Sequence, residues 1–388
     1  MAAVSEGILA DKWNACSIQP HKAYENDELT IDLVWWTNAI CLPTIAIIGI
    51  TCNIINIFVL TYNPSSKRIP SRKLLLLLAI CDIFFLFFAV LEVSPMSIRA
   101  FLSSPIINKI YTKLVLYIRT CASTFYKSSV LLVIIFNIER YISVCYPLRS
   151  NRLCSHKAIN YTIIICIIFS FICSLHWPLV YEVTGCYDFN DNHEYFVISM
   201  SENSFWIAYY RIMDYFSLFM FNILPIIMLF YLNIKLIITL RKVIHKDLTL
   251  QRQIISSNQQ TTHLINNSQG NNFNQRQNAN KILFAVVAML FICVAPQAPA
   301  RLLYEILGHY HPTAIIYTCI SQQLVFLNAS LNFCLYCLVS RRYRSLLKES
   351  FQNLLIPHKR FFTSSGVTFQ LKTRSSSVHA QSSDEPNC

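Results

Sequence analysis

Long apolar runs alternate with short polar segments along this chain, and the length of the runs decides what they form. Val34 to Tyr62, Ala158 to Tyr181, Tyr215 to Ile234, Ile282 to Ala300 and Pro312 to Ser340 contain no Asp, Glu, Lys or Arg, and each reaches about the 20 residues a helix needs to cross a hydrocarbon core. Two further runs are interrupted by charge: Leu74 to Leu91 by Asp82, and Ile106 to Asn137 by Lys109, Lys113, Arg119 and Lys127. Counting both predicts an all-α, seven-transmembrane helix bundle. Beyond it, the stretch 341–355 puts Tyr343, Leu346, Leu347, Phe351, Leu354 and Leu355 on one helical face with basic residues opposite, the pattern of a short amphipathic eighth helix lying at the interface. The expected organisation is an N-terminal segment over 1–33, a membrane domain over 34–340, the interfacial helix over 341–355 and a disordered tail over 356–388.

Composition agrees with the pattern, since 54% of the 388 residues are hydrophobic and 13% charged, against roughly a quarter charged in a soluble domain. Charge then orients the bundle. With the N-terminus outside, the inner loops and tail hold 22 of the 32 Lys and Arg, and the outer segments keep only Lys12, Lys22, Arg99, Lys109 and Lys113. The expectation is therefore a multi-pass plasma-membrane protein with an extracellular N-terminus and a cytoplasmic tail. Met1 to Leu33 has no apolar signal core, so the first helix is expected to act as its own signal anchor. The net charge of +12 reads as topology and attraction to anionic inner-leaflet lipid rather than nucleic-acid binding.

Charged and amide side chains inside the spans are the candidate chemistry, because each must find a polar partner there. Asp82 is expected to face the bundle interior, with Asn53, Ser129, Asn328 and Asn332 as candidate partners; the last two are four residues apart and share a face. Glu92 stands ten residues, roughly 15 Å, outward of Asp82, and Lys127, Asp214, Arg301 and Glu305 also fall in or near outer helical halves, where a ligand reaches. Lys127 reads equally as a structural group paired within the bundle. The outer segment Tyr181 to Asn203 has five acids and no Lys or Arg, which concentrates cations or merely complements the basic inner face. Metal-ligand spacing, nucleophile motifs and phosphate loops are missing from plausible settings, so the chain is not read as an enzyme.

At the inner end of the third run, Glu139-Arg140-Tyr141 followed by Pro147 sits where an apolar helix meets a basic segment. Together with Gly49 and Asn53, Leu78 to Asp82, Pro225, Pro296, and Asn332 to Tyr336, this stretch resembles the signature positions of rhodopsin-like (class A) G-protein-coupled receptors, in order and over nearly all seven helices. Ile138 to Arg149, Ser174 to Glu182 and Leu327 to Phe333 resemble, more narrowly, invertebrate FMRFamide-type neuropeptide receptors. The resemblance implies an extracellular ligand, a cationic amidated peptide, with a small-molecule chemosensory receptor as the alternative. It implies coupling to a heterotrimeric G protein through Glu139, Arg140, Tyr141, Pro147, Asn332 and Tyr336, later contact with arrestin and a receptor kinase, and no nucleic acid. A sodium ion held by Asp82, Ser129, Asn328 and Asn332 is also implied by it, against the reading of a plain hydrogen-bond network. The family's outer disulfide joins the second outer loop to the third helix, where this chain has Val115; Cys186 is then expected to pair with Cys121, or else with Cys16. Cys293 before Pro296 and Phe333 after Asn332 replace the family's usual Trp and Pro.

Overall fold

The computed structural model describes residues 28–62, 71–97, 104–146, 155–188, 193–257, 288–289, 291–307, 311–339 and 341–355. The segments 1–27 and 356–388, and with them the expected disordered tail, lie outside the described residues.

Among the described residues, six helices are long and apolar enough to cross a membrane: α1 (Leu29–Tyr62), α2 (Arg72–Pro95), α3 (Ile106–Ser143), α4 (Lys157–Val180), α5 (Ser204–Thr239) and α7 (Pro312–Leu335), with α6 (Phe291–Leu303) a shorter apolar helix. The α8 helix (Arg341–Leu355) comes directly after α7. This is the seven-helix bundle the apolar runs predict, with its first helix beginning several residues ahead of Val34 and its fifth well ahead of Tyr215. The extensions are polar enough to end an apolar run and still helical. Asn203 caps α5 by accepting from the Phe205 N–H at 2.9 Å, Ser155 caps α4 by accepting from that of Ala158, and Pro105 opens the long helix around α3, where its missing N–H costs nothing.

Two irregularities shape the interior of the bundle. Pro225 cannot donate to a helical carbonyl, and the turn just before it, Phe219–Ile223, is a π-helix that turns Asn222 inward. In α6 the helix breaks at Ala295-Pro296 and resumes at Gln297–Leu307. Between α4 and α5 the chain forms a β-hairpin, β1 (Tyr181–Asp188) against β2 (His193–Met200), antiparallel with Tyr181 opposite Met200. The hydrophobic pattern does not predict strands there. The hairpin is tied down by Asn108 at the start of α3, whose side-chain oxygen accepts from the Phe196 N–H at 2.9 Å, and by Lys109 over the Phe196 ring at 5.2 Å. It marks one end of the bundle; α8 marks the other.

Helices α1 and α7 are joined along their length. Gln323 donates to the Thr37 carbonyl at 3.1 Å, Ser330 to that of Ile45 at 3.2 Å, and Asn53 to that of Ala329 at 3.0 Å. Gly49 allows the approach, because a Cβ there would come within 2.7 Å of Leu86 and closer still to Ser330. At the far end the Tyr343 hydroxyl of α8 donates to the Asn56 side chain at 2.6 Å, and Arg344 caps the last turn of α7 through the Cys337 and Leu338 carbonyls.

Candidate functional site

Two polar regions lie inside the bundle. Toward the hairpin is a cavity of about 510 Å³ whose wall includes Glu92, Arg119, Lys127, Asp214 and Arg301. Each charge reaches the cavity through its helix: Glu92 from α2, Arg119 and Lys127 eight residues apart on α3, Asp214 from α5, and Arg301 from α6, one turn past Gln297 and past the Pro296 break.

The acids are already engaged. Arg119 donates through Nε to Glu92 at 2.6 Å, and its guanidinium lies 4.6 Å from the Trp177 ring centroid. Trp177 stacks on Tyr181 at 5.4 Å and meets Tyr210 edge-on at 5.8 Å, so the cation rests on an aromatic floor. The Glu92 backbone is held too, its carbonyl accepting from the Tyr111 hydroxyl at 2.5 Å. Arg301 grips Asp214 with two donors, Nε to Oδ2 at 2.8 Å and Nη2 to Oδ1, the fork geometry that suits guanidinium and carboxylate. Lys127 donates to the Cys173 carbonyl at 2.7 Å and faces the Phe221 ring at 5.3 Å. That carbonyl is available because α4 breaks into a turn at Cys173 to Leu175. Tyr126 donates to Asn222 of the π-turn at 3.0 Å and sits 3.5 Å from Gln297, linking α3, α5 and α6 across the cavity.

Four of the five candidate ligand residues read from the sequence, Glu92, Lys127, Asp214 and Arg301, thus meet at one cavity; the Glu305 side chain lies outside the described residues. Arg119, Trp177, Tyr126 and Asn222 are not among the residues the sequence singles out. Arg119 enters there only as a charge that spoils a hydropathy window, although an intramembrane Arg requires a partner as much as Asp82 does.

Toward α8, the Asp82 carboxylate is 1% exposed and accepts from Ser129 at 2.7 Å and from the Asn332 amide at 2.6 Å. Asn53 does not join it. Its amide nitrogen serves the Gly49 and Ala329 carbonyls, and its buried side-chain oxygen has no hydrogen-bond partner. The reason is the close α1–α7 contact, which brings backbone to Asn53 before any side chain. Asn328 is half-buried and, among the described residues, makes no side-chain hydrogen bond to this group. At the end of α3 the Arg140 guanidinium lies 5.2 Å over the Phe136 ring, Tyr141 meets Tyr146 edge-on at 6.1 Å, and one Glu139 oxygen is buried without a hydrogen bond. Pro147 and the Tyr336 side chain lie outside the described residues.

The expected Cys121–Cys186 pairing is overturned. Cys186 is disulfide-bonded, and Cys121 is a free thiol. Depth along α3 placed Cys121 within reach, but the direction of its thiol is a matter of helix rotation, which distance along the helix cannot decide. The alternative partner, Cys16, lies outside the described residues.

Comparison with known proteins agrees with this architecture. The family model described as "7 transmembrane receptor (rhodopsin family)" matches residues 52–340. A Caenorhabditis elegans protein named provisionally as a G-protein coupled receptor, F59B2.13, is 24% identical over 327 residues, covering 81% of this chain and 73% of its own length.

Proposed function

Because this chain belongs to the rhodopsin family of seven-transmembrane receptors, a family of receptors rather than enzymes, we propose that it resides in the plasma membrane with its N-terminus and hairpin outside the cell. In this reading an extracellular peptide enters the cavity from the hairpin end, and its binding activates a heterotrimeric G protein at the α8 end. The observation that carries it is the cavity itself. It gathers five charged side chains and an aromatic floor from α2, α3, α4, α5 and α6, so whatever fills it touches helices that must move relative to one another for the far end to open.

The ligand class we favour is a cationic amidated peptide of the FMRFamide kind. Supporting it are the exposed acid Glu182 on the hairpin, which raises the local concentration of cations, and the carboxylates of Glu92 and Asp214 within. Both carboxylates already hold an Arg, so a ligand guanidinium binds Glu92 by exchange: it takes the place of Arg119, which keeps the Trp177 face. That exchange is a differential contact between ligand-free and ligand-bound states, which a switch requires. A small-molecule chemosensory ligand is the second reading, and the cavity's 510 Å³ supports it, lying within the ordinary range for small-molecule sites. Calcium and cyclic-nucleotide responses of the expressed receptor to a panel of amidated peptides separate the two. Responses confined to small metabolites or volatiles would overturn the peptide reading.

At the α8 end, Glu139, Arg140 and Tyr141 with Pro147, Asn332 and Tyr336 are the residues we assign to G-protein coupling, with arrestin and a receptor kinase acting afterwards. Asp82 and its neighbours suit a sodium ion. The donor set is oxygen, as a hard cation prefers: two carboxylate oxygens with lone pairs beyond those given to Ser129 and Asn332, and the Ser129 hydroxyl. A bound cation would supply the positive charge that this buried carboxylate's present partners do not.

A further inference from the structure

Among the described residues, the five charges on the cavity wall do not cancel. Glu92 answers Arg119, and both oxygens of Asp214 accept from the Arg301 fork, which accounts for two acids and two guanidiniums. Lys127 is left over. Its residue is 4% exposed, it lines the same cavity, and among the described residues no carboxylate pairs with it. The charge of Asp214 reaches Lys127 through space, while the oxygens that carry that charge are bonded elsewhere.

What Lys127 does have is a shared neutral acceptor. The Cys173 carbonyl receives its ammonium at 2.7 Å and also lies 3.0 Å from the His176 ring nitrogen Nδ1, so two donors divide one group. An ammonium carries three N–H donors, and this bond uses one. The Phe221 ring at 5.3 Å offers only its π face. A desolvated cation without a counter-ion is costly, and a purely structural donor to a carbonyl would not need to be charged. Space for a counter-ion exists directly beside it.

We propose, resting on the reading of this cavity as the ligand site, that Lys127 is the seat of an anionic group of the ligand, a carboxylate, which completes the charge balance of the cavity. The receptor therefore prefers ligands that carry an acid to the same ligands with that acid converted to an amide. In a peptide the carboxylate has two sources, the free chain terminus or an Asp or Glu side chain. An amidated peptide must bring it on a side chain.

The test uses the full-length receptor purified in detergent, with thermal melting followed by intrinsic fluorescence. The first probe pair is 3-phenylpropionate and 3-phenylpropionamide, which share size and shape and differ in carboxylate against neutral amide. Wild type should bind the acid roughly tenfold or more tightly than the amide, the ratio a charge-assisted hydrogen bond supports, and Lys127→Met should lose that preference. Lys127→Gln, which keeps a donor for the Cys173 carbonyl, should lose it equally, so a fold defect in the first variant does not decide the result. The idea is overturned if wild type shows no preference for the acid, or if both variants keep it. A second set, Phe-Met-Arg-Phe as free acid, as amide, and as amide with an added N-terminal Asp, locates the source: a gain only in the free acid points to the terminus, a gain only in the Asp peptide to a side chain. Binding of phenylpropionate with none of the three peptides would sink the peptide reading and leave the anion seat standing.

Discussion

The two polar regions of this bundle solve the problem of buried charge in opposite ways. In the cavity near the hairpin, charge faces charge: Glu92 meets Arg119, Asp214 meets Arg301, and Lys127 stands beside open space. Near α8, Asp82 meets, among the described residues, a hydroxyl and an amide, with Ser129 and Asn332 each lending a neutral donor. In the first arrangement each acid faces a full opposite charge, which under the proposed reading a ligand's guanidinium or carboxylate would replace. In the second, neutral donors from α3 and α7 hold the acid of α2, so the group depends on how those three helices stand to one another. The two regions are thus distinguishable by what their carboxylates hold.

The largest expected effect comes from removing one member of a pair. Arg119→Ala removes the guanidinium hydrogen-bonded to Glu92 and strips the cation from Trp177, so it should lower the stability of the ligand-free receptor by about 2–3 kcal/mol. Thermal melting at matched expression measures this, and a loss indistinguishable from that of an exposed Arg on α8 would break the contrast. Next is the ligand side: Glu92→Gln should weaken whichever cationic peptide proves active by about 1.5–3 kcal/mol, seen as a rightward dose response at unchanged surface expression. An unshifted curve would remove Glu92 from the ligand's path. A double-mutant cycle of Asp214→Asn and Arg301→Gln should give a smaller figure, about 1–2 kcal/mol, because the cycle isolates the interaction between the two side chains and leaves out the cost of stranding one charge. Additive single effects would show that the fork contributes little. Smallest is Asp82→Asn. An amide can accept from Ser129 through its oxygen and, if the Asn332 amide flips, donate to the Asn332 oxygen, so ligand-free stability should stay within about 1 kcal/mol of wild type or rise as a buried charge is removed. The same variant should lose the modest stabilisation, about 1 kcal/mol or less, that sodium gives over potassium at equal ionic strength. A loss of stability as large as that of Arg119→Ala would erase the distinction between the two regions.

How much of this architecture is readable from the chain depends on whether the answer lies along one helix or between several. The spans come from run length alone, and Asp82 meeting Ser129 and Asn332 comes from helical periodicity and the cost of an isolated acid. The outer-half residues Glu92, Lys127, Asp214 and Arg301 are correctly grouped by depth, because depth is residue number multiplied by rise. Partners are not readable. Glu92 and Arg119 are 27 residues apart on different helices, and which faces which is set by helix rotation in the packed bundle. Rotation equally decides that Cys121 stays a free thiol, and backbone proximity at Gly49 diverts Asn53 to the Ala329 carbonyl. The hairpin escapes notice because Tyr181 to Met200 mixes acids, aromatics and β-branched residues without the strict alternation of a strand with one buried face.

The bonds between α1 and α7 run from Thr37–Gln323 through Ile45–Ser330 and Asn53–Ala329, and end at Asn56–Tyr343 on α8. Kinematically, fastenings spread over several heights resist both a hinge and a slide more than a single attachment does. The pair with its trailing helix is therefore expected to travel as one plank, with any opening of the far end carried mainly by its neighbours, and the seam between first and last helix to be the least inviting place for a lipid tail to wedge in.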